Sequence, residues 1–365
     1  MIADLAARDP QLPVADLLDA DRMTDLLGAP TVIERVRYKP GTSLVLGVRQ
    51  GDAHGWVAAY ADPEKLAKTR HRARRSGAVV VDVGGLAQTA AGTISADRVL
   101  GPVLRRGRRA LGGAWGDTVL RYNPHRRLVV RVGDRAMKVS AADAAPLTAR
   151  LAEAGLLVLP SQPVATGVQA TPWWGDGDLA DHPDADAATA AGRALAALHR
   201  APWHVAGELA PSTTGDADLT GAVDAIAVLD PDLGARAERV AGGIHRLPVG
   251  VRSGAVHGDF TADQVLVGEG DVRLIDFDRA GLGEPERDLG AFAAGELLAG
   301  RGAELTDALR SGYEGELDEA ALARWTATAA LQRAVEPFRT GDPSWPTAMR
   351  RAIDLAADVT AGVAA

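Results

Sequence analysis

Two stretches of the chain carry the same order of polar, turn-forming and apolar residues. Arg37-Tyr38-Lys39-Pro40-Gly41 precedes the apolar run 44–49, and Arg121-Tyr122-Asn123-Pro124-His125 precedes the apolar run 128–132. In each copy the run ends at a Gly-Asp pair, which a further apolar stretch follows. Proline and glycine between β-rich runs indicate tight turns, so each copy predicts strand, turn and strand. We interpret the copies as a duplicated sheet unit; two unrelated hairpins with similar turns are the alternative.

The next strand differs between the copies at one chemically important position. Residues 135–139 contain Lys138, whereas residues 56–60 contain no lysine. Only four of the 40 basic residues are lysines, so a lysine within a strand indicates function rather than ordinary surface charge. The pattern predicts that only the second copy kept a working lysine.

The remaining pattern predicts a mostly helical second half with one β-rich insert. Residues 142–155 predict a helix, 156–160 a strand and 172–177 a linker. A strand-rich segment is expected at 254–278. The further helices are expected at 187–199, 221–229, 234–245, 286–299, 303–312, 318–338 and 344–362.

Composition limits the class of protein. The chain has 365 residues, of which 47% are hydrophobic and 24% charged, as in a globular protein of two or three subdomains. The sequence contains no uninterrupted apolar run of about 18 residues, so it predicts no membrane span. Residues 1–22 carry five acidic residues and no basic stretch, unlike a secretory signal. The chain has no cysteine, which excludes disulfides and thiolate chemistry. We therefore expect a cytoplasmic protein.

Net charge narrows the possible partners. A formal charge of −8 argues against general nucleic-acid binding, although a local basic phosphate site remains compatible with it. We expect a small-molecule substrate, no nucleic-acid or membrane partner, and a monomer or weak homodimer.

The densest chemical pattern lies at 256–278. Asp259 follows His257-Gly258, Gln264 comes five residues later, and Asp276 lies on the next apolar run. One aspartate can accept the proton of an attacking hydroxyl, while an amide oxygen and a second aspartate are hard oxygen ligands that suit Mg²⁺. Lys138 can bind nucleotide phosphates as a point charge. This arrangement favours phosphoryl transfer from a nucleotide.

These stretches resemble the aminoglycoside-phosphotransferase and choline-kinase-like family, which has a protein-kinase-like fold. The resemblance rests on the segments 136–139, 192–199, 257–259, 275–278 and 285–290. It implies an α+β fold with an N-terminal cap at 1–95, an ATP-binding lobe at 96–172 and a helical lobe with the acceptor site at 173–365. It also implies ATP and Mg²⁺ as cofactors. The implied roles are Asp259 as base, Gln264 and Asp276 as metal ligands, Lys138 on the phosphates, and an adenine-binding hinge after Pro160.

Three positions depart from the family pattern. Gln264 stands where the family usually has Asn, which keeps the carbonyl ligand but adds a methylene. The expected phosphate-binding turn, with Asn123, Arg126 and Arg127, has no run of glycines, and the glycine-rich segment 112–116 is the alternative. The acid that would orient Lys138 is not evident: Asp143 is short and Glu153 comes late.

A narrower resemblance suggests an acceptor. Gln at the metal position and an N-terminal cap are similar to actinobacterial glucosamine kinases, which are related to maltokinases. Trp325, Gln332 and Glu336 are spaced to share one face of the predicted helix 318–338, where they could stack on, hydrogen-bond to and ion-pair with an amino sugar. Core packing of that face is the alternative.

The resemblance thus implies conversion of glucosamine to glucosamine 6-phosphate, in carbohydrate metabolism or antibiotic biosynthesis. Alternatives are an aminoglycoside-type or maltokinase-like kinase, and a non-catalytic nucleotide- or sugar-binding pseudokinase. We expect His257 and Asp288 to brace the loop rather than to catalyse, and His199 to end a helix.

Overall fold

The computed structural model of the protein describes residues 2–75, 77–113, 115, 118–141, 147–201 and 216–364. The chain forms two compact units. The first contains residues 1–145, 161–173 and 336–346, and the second contains 146–160, 174–335 and 347–365. The first unit therefore includes both the predicted cap and most of the predicted ATP-binding lobe. No helix among the described residues is long and apolar enough to cross a membrane.

The first unit begins with three short helices, α1 (Ile2–Arg8), α2 (Val14–Leu17) and α3 (Ala20–Leu27), and a five-stranded antiparallel sheet. Its strands are β1 (Val32–Lys39), β2 (Ser43–Gln50), β3 (Ala53–Tyr60), β4 (Val80–Asp82) and β5 (Thr89–Thr93), in the order β1-β2-β3-β5-β4. Helix α4 (Pro63–Arg75) connects β3 to β4.

A second five-stranded antiparallel sheet follows helix α5 (Leu100–Ala110). Its strands are β6 (Thr118–Asn123), β7 (Arg127–Val132), β8 (Arg135–Ser140), β9 (Gln162–Ala165) and β10 (Val168–Pro172), in the order β6-β7-β8-β10-β9. The two sheets have the same strand order, and each begins with the hairpin that the sequence predicts. The prediction of two equivalent sheet units is confirmed.

Both sheets contribute to one apolar core. Trp56 and Tyr60 of β3 and Leu128 and Met137 of the second sheet are almost fully buried, and Leu100 of α5 packs with them. Burial of large apolar side chains is the main favourable contribution to folding, so this shared core joins the two sheets in one unit.

The second unit is largely helical. Its helices are α6 (Leu147–Glu153), α7 (Ala185–His199), α8 (Asp216–Leu229), α9 (Pro231–Ile244), α10 (Glu286–Ala299), α11 (Glu304–Gly312), α12 (Glu319–Arg333) and α14 (Trp345–Ala364), which starts in the first unit. Its short strands are β11 (Gly177–Asp178), β12 (Gly254–Val256), β13 (Val265–Gly268), β14 (Asp271–Leu274) and β15 (Gly281–Gly283). With sheets in the first unit and helices in the second, the α+β prediction is confirmed.

Residues 156–160 are not a strand, contrary to the prediction. Val158 makes only an isolated bridge to Leu274, and the Leu274 N–H donates to the Leu157 carbonyl. Val158 is buried in the core of the second unit, so the apolar run reflects packing rather than membership of a sheet. The region after Pro160, expected as the adenine-binding hinge, consists of β9 and β10, and the chain leaves the first unit only after Trp173.

The predicted helix 318–338 is also interrupted. Helix α12 ends at Arg333, and a separate short helix, α13, comprises Glu336–Arg339. Pro337 has no N–H to donate to the Arg333 carbonyl, and its ring would crowd the preceding turn of a continuous helix. Helix α13 belongs to the first unit, whereas α12 belongs to the second.

Candidate active site

The predicted base, Asp259, lies on a loop that leaves the buried strand β12. Val256 and His257 are fully buried at the start of the loop, whereas the Asp259 side chain is half-exposed. Between them Gly258 has a φ of +85°. A Cβ on Gly258 would lie 2.1 Å from the Arg279 carbonyl oxygen, so both conformation and space require glycine here. The turn at Gly258 brings Asp259 out of the core.

Asp288, in the first turn of α10, holds the loop backbone. Its fully buried carboxylate accepts hydrogen bonds from the His257 N–H at 2.6 Å, the Gly258 N–H at 2.8 Å and His199 Nε2 at 3.0 Å. Burial acts to raise the pKa of Asp288, but the His199 hydrogen bond and neighbouring charges prevail and lower it. Asp288 is thus a loop-bracing carboxylate, as expected from sequence.

Two further contacts fix the same loop. Arg287 Nη2 donates to the Gly258 carbonyl at 2.9 Å. His257 Nε2 lies 2.7 Å from the Ile275 carbonyl, which requires the proton on Nε2. This bond connects the loop to the segment that carries Asp276. His257 therefore has the structural role that the sequence predicts for it.

Two arginines approach the Asp259 carboxylate. Arg333 Nη2, at the end of α12, lies 3.3 Å from Oδ1, and Arg279 Nε lies 3.9 Å from Oδ2. The first contact is a hydrogen bond, while the second is an ion pair beyond hydrogen-bonding distance. The carboxylate is thus oriented and partly charge-compensated. Sequence reasoning missed both arginines because they are distant in sequence from Asp259.

Gln264 has the properties of a metal ligand. Its side chain is buried, its Nε2 donates to Asp263 Oδ2 at 3.1 Å, and its Oε1 is buried with no hydrogen-bond partner. An unpaired buried carbonyl oxygen is unfavourable unless a ligand or water satisfies it. A hard cation would satisfy it, so the departure from Asn at this position fits a metal site.

The backbone places Asp276 beside Gln264 in the fold. The Ile275 N–H donates to the Gln264 backbone carbonyl at 3.0 Å, and Asp276 follows directly with a φ of +63°. A left-handed conformation is uncommon for a residue other than glycine and is enriched at functional positions. Among the described residues, no group of three or more His, Asp or Glu could hold a metal ion. Mg²⁺ suits such a site because it takes few protein ligands and completes its shell with phosphates and waters.

The predicted phosphate-binding residues lie in the first unit. Lys138 is half-buried in β8, paired with Val129 of β7 and Gln169 of β10. Asn123 ends β6, and the exposed Arg126 and half-buried Arg127 form the turn and the start of β7. Of the two candidate acids for orienting Lys138, Asp143 lies outside the described residues, and Glu153 ends α6 in the second unit. Ala114 and Gly116 of the alternative glycine-rich cradle also lie outside the described residues.

The three predicted acceptor-binding residues do not share one helix face. Trp325 is buried in α12, and its Nε1 donates to Glu284 Oε2 at 2.9 Å. Gln332 is half-buried near the end of the same helix. Glu336 lies on α13 in the first unit, where its Oε1 is 2.6 Å from Arg35 Nη1 and its Oε2 is 3.7 Å from Arg339 Nη1. The expectation of one continuous face is wrong because the helix ends before Glu336.

Comparison with known proteins identifies the family of this chain. A model of the phosphotransferase enzyme family matches residues 106–330. The choline/ethanolamine kinase family protein from Mesorhizobium loti has a similar structure, with 19% identity, a TM-score of 0.49, and coverage of 70% of this chain and 93% of that chain. Spectinomycin phosphotransferase gives 12% identity, a TM-score of 0.49, and coverage of 67% and 92%. Macrolide 2'-phosphotransferase type I has 18% identity and a TM-score of 0.47, and the match covers 68% of this chain and 95% of that chain. No curated protein matches the chain.

Proposed function

This chain belongs to the phosphotransferase enzyme family, and we propose that it transfers the γ-phosphoryl group of ATP to a hydroxyl of a small amino sugar. The observation that carries the proposal is the buried, unpaired Oε1 of Gln264, whose backbone carbonyl binds the residue preceding Asp276. Gln264 and Asp276 as oxygen ligands, together with the half-exposed Asp259 on a loop fixed by Asp288, would suit Mg²⁺-dependent phosphoryl transfer.

The proposed role of Asp259 is to accept the proton of the attacking hydroxyl. Its carboxylate is half-exposed, and the Arg333 hydrogen bond at 3.3 Å occupies only Oδ1. Arg333 and Arg279 contact the two carboxylate oxygens, and the half-exposed side chain would let an acceptor hydroxyl approach it. Positioning and electrostatic stabilisation supply most of the catalysis in phosphoryl transfer, which is consistent with a rigidly braced loop.

The remaining predicted ligands would bind the nucleotide. Gln264 and Asp276 would hold Mg²⁺, which neutralises phosphate charge when bound. Lys138 would bind the phosphates as a point charge, with the Asn123–Arg127 turn supplying backbone and arginine donors. Lys138 and Asp276 match the family pattern, whereas Gln264 and the Asn123–Arg127 turn depart from it and are proposed on their chemistry.

Glucosamine is the proposed acceptor, but its amine is not assigned to Glu336. That carboxylate already has ion pairs with Arg35 and Arg339, and an ammonium group would have to displace an arginine. Trp325 is likewise engaged by Glu284 and lies within about 6 Å of two guanidinium groups, of Arg287 and Arg324. Support for glucosamine therefore rests on the resemblance to glucosamine kinases and on the small-molecule chemistry of the family.

The experiment is ATP turnover by the wild-type protein with glucosamine, glucose, maltose and an aminoglycoside, with Mg²⁺ and with EDTA. We expect Mg²⁺-dependent phosphorylation of glucosamine with the highest kcat/KM. A higher kcat/KM for maltose or the aminoglycoside would contradict glucosamine as the acceptor but would still support phosphoryl transfer. Absence of turnover with every acceptor, together with absence of Mg-ATP binding by calorimetry, would overturn the proposed function.

A further inference from the structure

The turns that begin the two sheets have the same backbone geometry. In the first sheet the Thr42 N–H donates to the Lys39 carbonyl at 3.0 Å, and in the second the Arg126 N–H donates to the Asn123 carbonyl at 3.0 Å. Proline occupies the second position of both turns, and the third position has a positive φ, +58° at Gly41 and +64° at His125. Proline followed by a positive φ is typical of a type II turn, in which glycine is preferred at the third position.

Each turn is held by a buried aspartate through the same two bonds. Asp9 Oδ2 accepts from Tyr38 Oη and from the Gly41 N–H, both at 2.8 Å. Asp97 Oδ2 accepts from Tyr122 Oη at 2.9 Å and from the His125 N–H at 2.8 Å. Both carboxylates are more than nine-tenths buried. In each copy the aspartate, the tyrosine before the turn and the positive-φ residue therefore form one cluster, which we call the turn clamp.

Asp97 carries additional bonds that connect its clamp to α5. Its Oδ1 accepts from the Val99 N–H at 2.8 Å and from the Leu100 N–H at 2.9 Å. These donors lie at the start of α5, where helical N–H groups lack partners within the helix. The position of the β6–β7 turn is thus fixed to the start of a helix that packs in the shared core.

The two clamps serve sheets that differ at the lysine position. Counted from the Gly51-Asp52 and Gly133-Asp134 turns, Lys138 corresponds to Trp56. Counted from the clamped turns, Lys138 corresponds to Ala58, which is also fully buried. Trp56 is fully buried, and its Nε1 donates to the Thr93 carbonyl. Gly92 lies on the neighbouring strand β5, and a Cβ at that position would lie 2.8 Å from the Trp56 indole, so the ring packs closely against β5. The first sheet therefore has no lysine and no space at the equivalent position.

Arg37, which precedes Tyr38 of the first clamp, is close enough to Arg98 and to Arg126 of the second clamped turn to be affected by their charge. Burial lowers the pKa of the Arg37 guanidinium, and the neighbouring guanidinium groups of Arg126 and Arg98 lower it further. Arginines that repel one another gain from a bound anion, and phosphates accept several of their donors at once. Arg126 belongs to the clamped turn itself, so the clamp also sets where this charge lies.

We propose that Asp97 is a positioning residue, which holds the Asn123–Arg127 turn in the conformation that binds nucleotide phosphates, whereas Asp9 holds the equivalent turn only for stability. The inference rests on the proposed function, because it requires that the second sheet binds ATP. The positive φ at His125 is an unfavourable conformation for a residue with a Cβ, and the Asp97 bond to its N–H compensates for it.

Matched substitutions test the inference. Tyr122→Phe and Asp97→Asn alter the second clamp, and Tyr38→Phe and Asp9→Asn make the same changes in the first. The readouts are the Kd of Mg-ATP by calorimetry, the KM for ATP, kcat and the thermal midpoint of unfolding. Losing one buried hydrogen bond weakens an equilibrium by about 5- to 30-fold. We expect Tyr122→Phe to raise the KM and Kd for ATP by about that factor with a smaller change in kcat.

The first-clamp variants supply the control. We expect Tyr38→Phe to lower the thermal midpoint, though less than Tyr122→Phe because its hydrogen bond is less buried, while leaving the KM for ATP within about twofold of wild type. Equal effects of the two tyrosine variants on the KM for ATP, or no effect of either, would overturn the inference, since the clamps would then be purely structural. If Asp97→Asn does not fold, the conservative tyrosine pair still decides the question. Failure of the wild-type protein to bind Mg-ATP would instead refute the proposed function.

Discussion

The Asp288 carboxylate accepts a hydrogen bond from the His257 backbone N–H at 2.6 Å, and this bond joins α10 to the loop that carries Asp259. Two residues 31 positions apart in sequence thereby define the backbone from which the predicted base projects. The Gly258 N–H and His199 Nε2 donate to the same carboxylate, so removing its charge affects the whole loop.

Asp288→Asn should therefore weaken both stability and catalysis. Asn presents one acceptor oxygen and an NH2 group, which leaves at least one buried N–H donor unpaired, at a cost of about 1–3 kcal/mol. We expect a lower free energy of unfolding and a kcat lowered at least about tenfold, measured by denaturant titration and ATP turnover. Asp178→Asn is the control, because both backbone donors there bind one oxygen, Oδ1, which Asn retains. Equal effects of the two substitutions would contradict the loop-bracing role.

Gly258→Ala should be far more harmful than a comparable change elsewhere. The new Cβ would meet the Arg279 carbonyl and would also force alanine into a left-handed conformation. Gly270→Ala has a similar φ, +73°, but its Cβ would meet no atom within 4 Å. We expect Gly270→Ala to cost about 1 kcal/mol with normal turnover, and Gly258→Ala to cost more and lose turnover. Normal turnover by Gly258→Ala would show that the loop does not need this turn.

Gln264→Leu should separate metal binding from stability. Leucine removes the buried Oε1 that has no partner, so stability should be retained or increased, while the divalent ligand is lost. We expect an unchanged or higher thermal midpoint and an Mg-ATP Kd raised at least about tenfold, by calorimetry. Gln264→Asn keeps a carbonyl ligand and should retain much of the affinity. Wild-type Mg-ATP affinity in Gln264→Leu would exclude this side chain as a ligand.

The sequence predicts the features that depend on residues close together in the chain, and it misses those that depend on residues far apart in the chain. The paired hairpins follow from local signals, Pro at 40 and 124 and Gly at 51 and 133, and the strand order confirms two equivalent units. The sequence pattern around Asp259 is also local, and the family that it resembles is confirmed. The clamps were missed because Asp97 lies 25 residues before Tyr122, and only its position just ahead of a helix start gives a local signal.

The prediction that three acceptor-binding residues share one helix face was wrong for a local reason that residue spacing does not capture. Trp325, Gln332 and Glu336 are spaced for one face only if the helix is continuous, and Pro337 breaks it. Periodicity identifies which positions could share a face, whereas the missing proline N–H decides where the helix ends.

Protonation of His125 should make stability depend on pH. Burial lowers the pKa of His125 to about 4, against an ordinary value of about 6.5. Because the folded state binds its proton less readily than the unfolded state, stability falls as the pH decreases from about 6.5 towards 4, by up to about 3 kcal/mol. Asn tolerates a positive φ, so His125→Asn should lose this part of the dependence. Unfolding titrations at pH 7.5 and 4.5 measure it, and identical pH dependence in the variant would contradict it.

The central claim is that Asp259 is the base for Mg-ATP-dependent phosphoryl transfer. Its most direct test is turnover by Asp259→Asn at saturating ATP and acceptor, with Mg-ATP affinity measured by calorimetry on the same preparation. Since general base catalysis contributes about 10²–10⁴-fold, we predict that kcat falls by that factor while the Kd of Mg-ATP stays within about threefold of wild type. Wild-type turnover by Asp259→Asn would contradict the account.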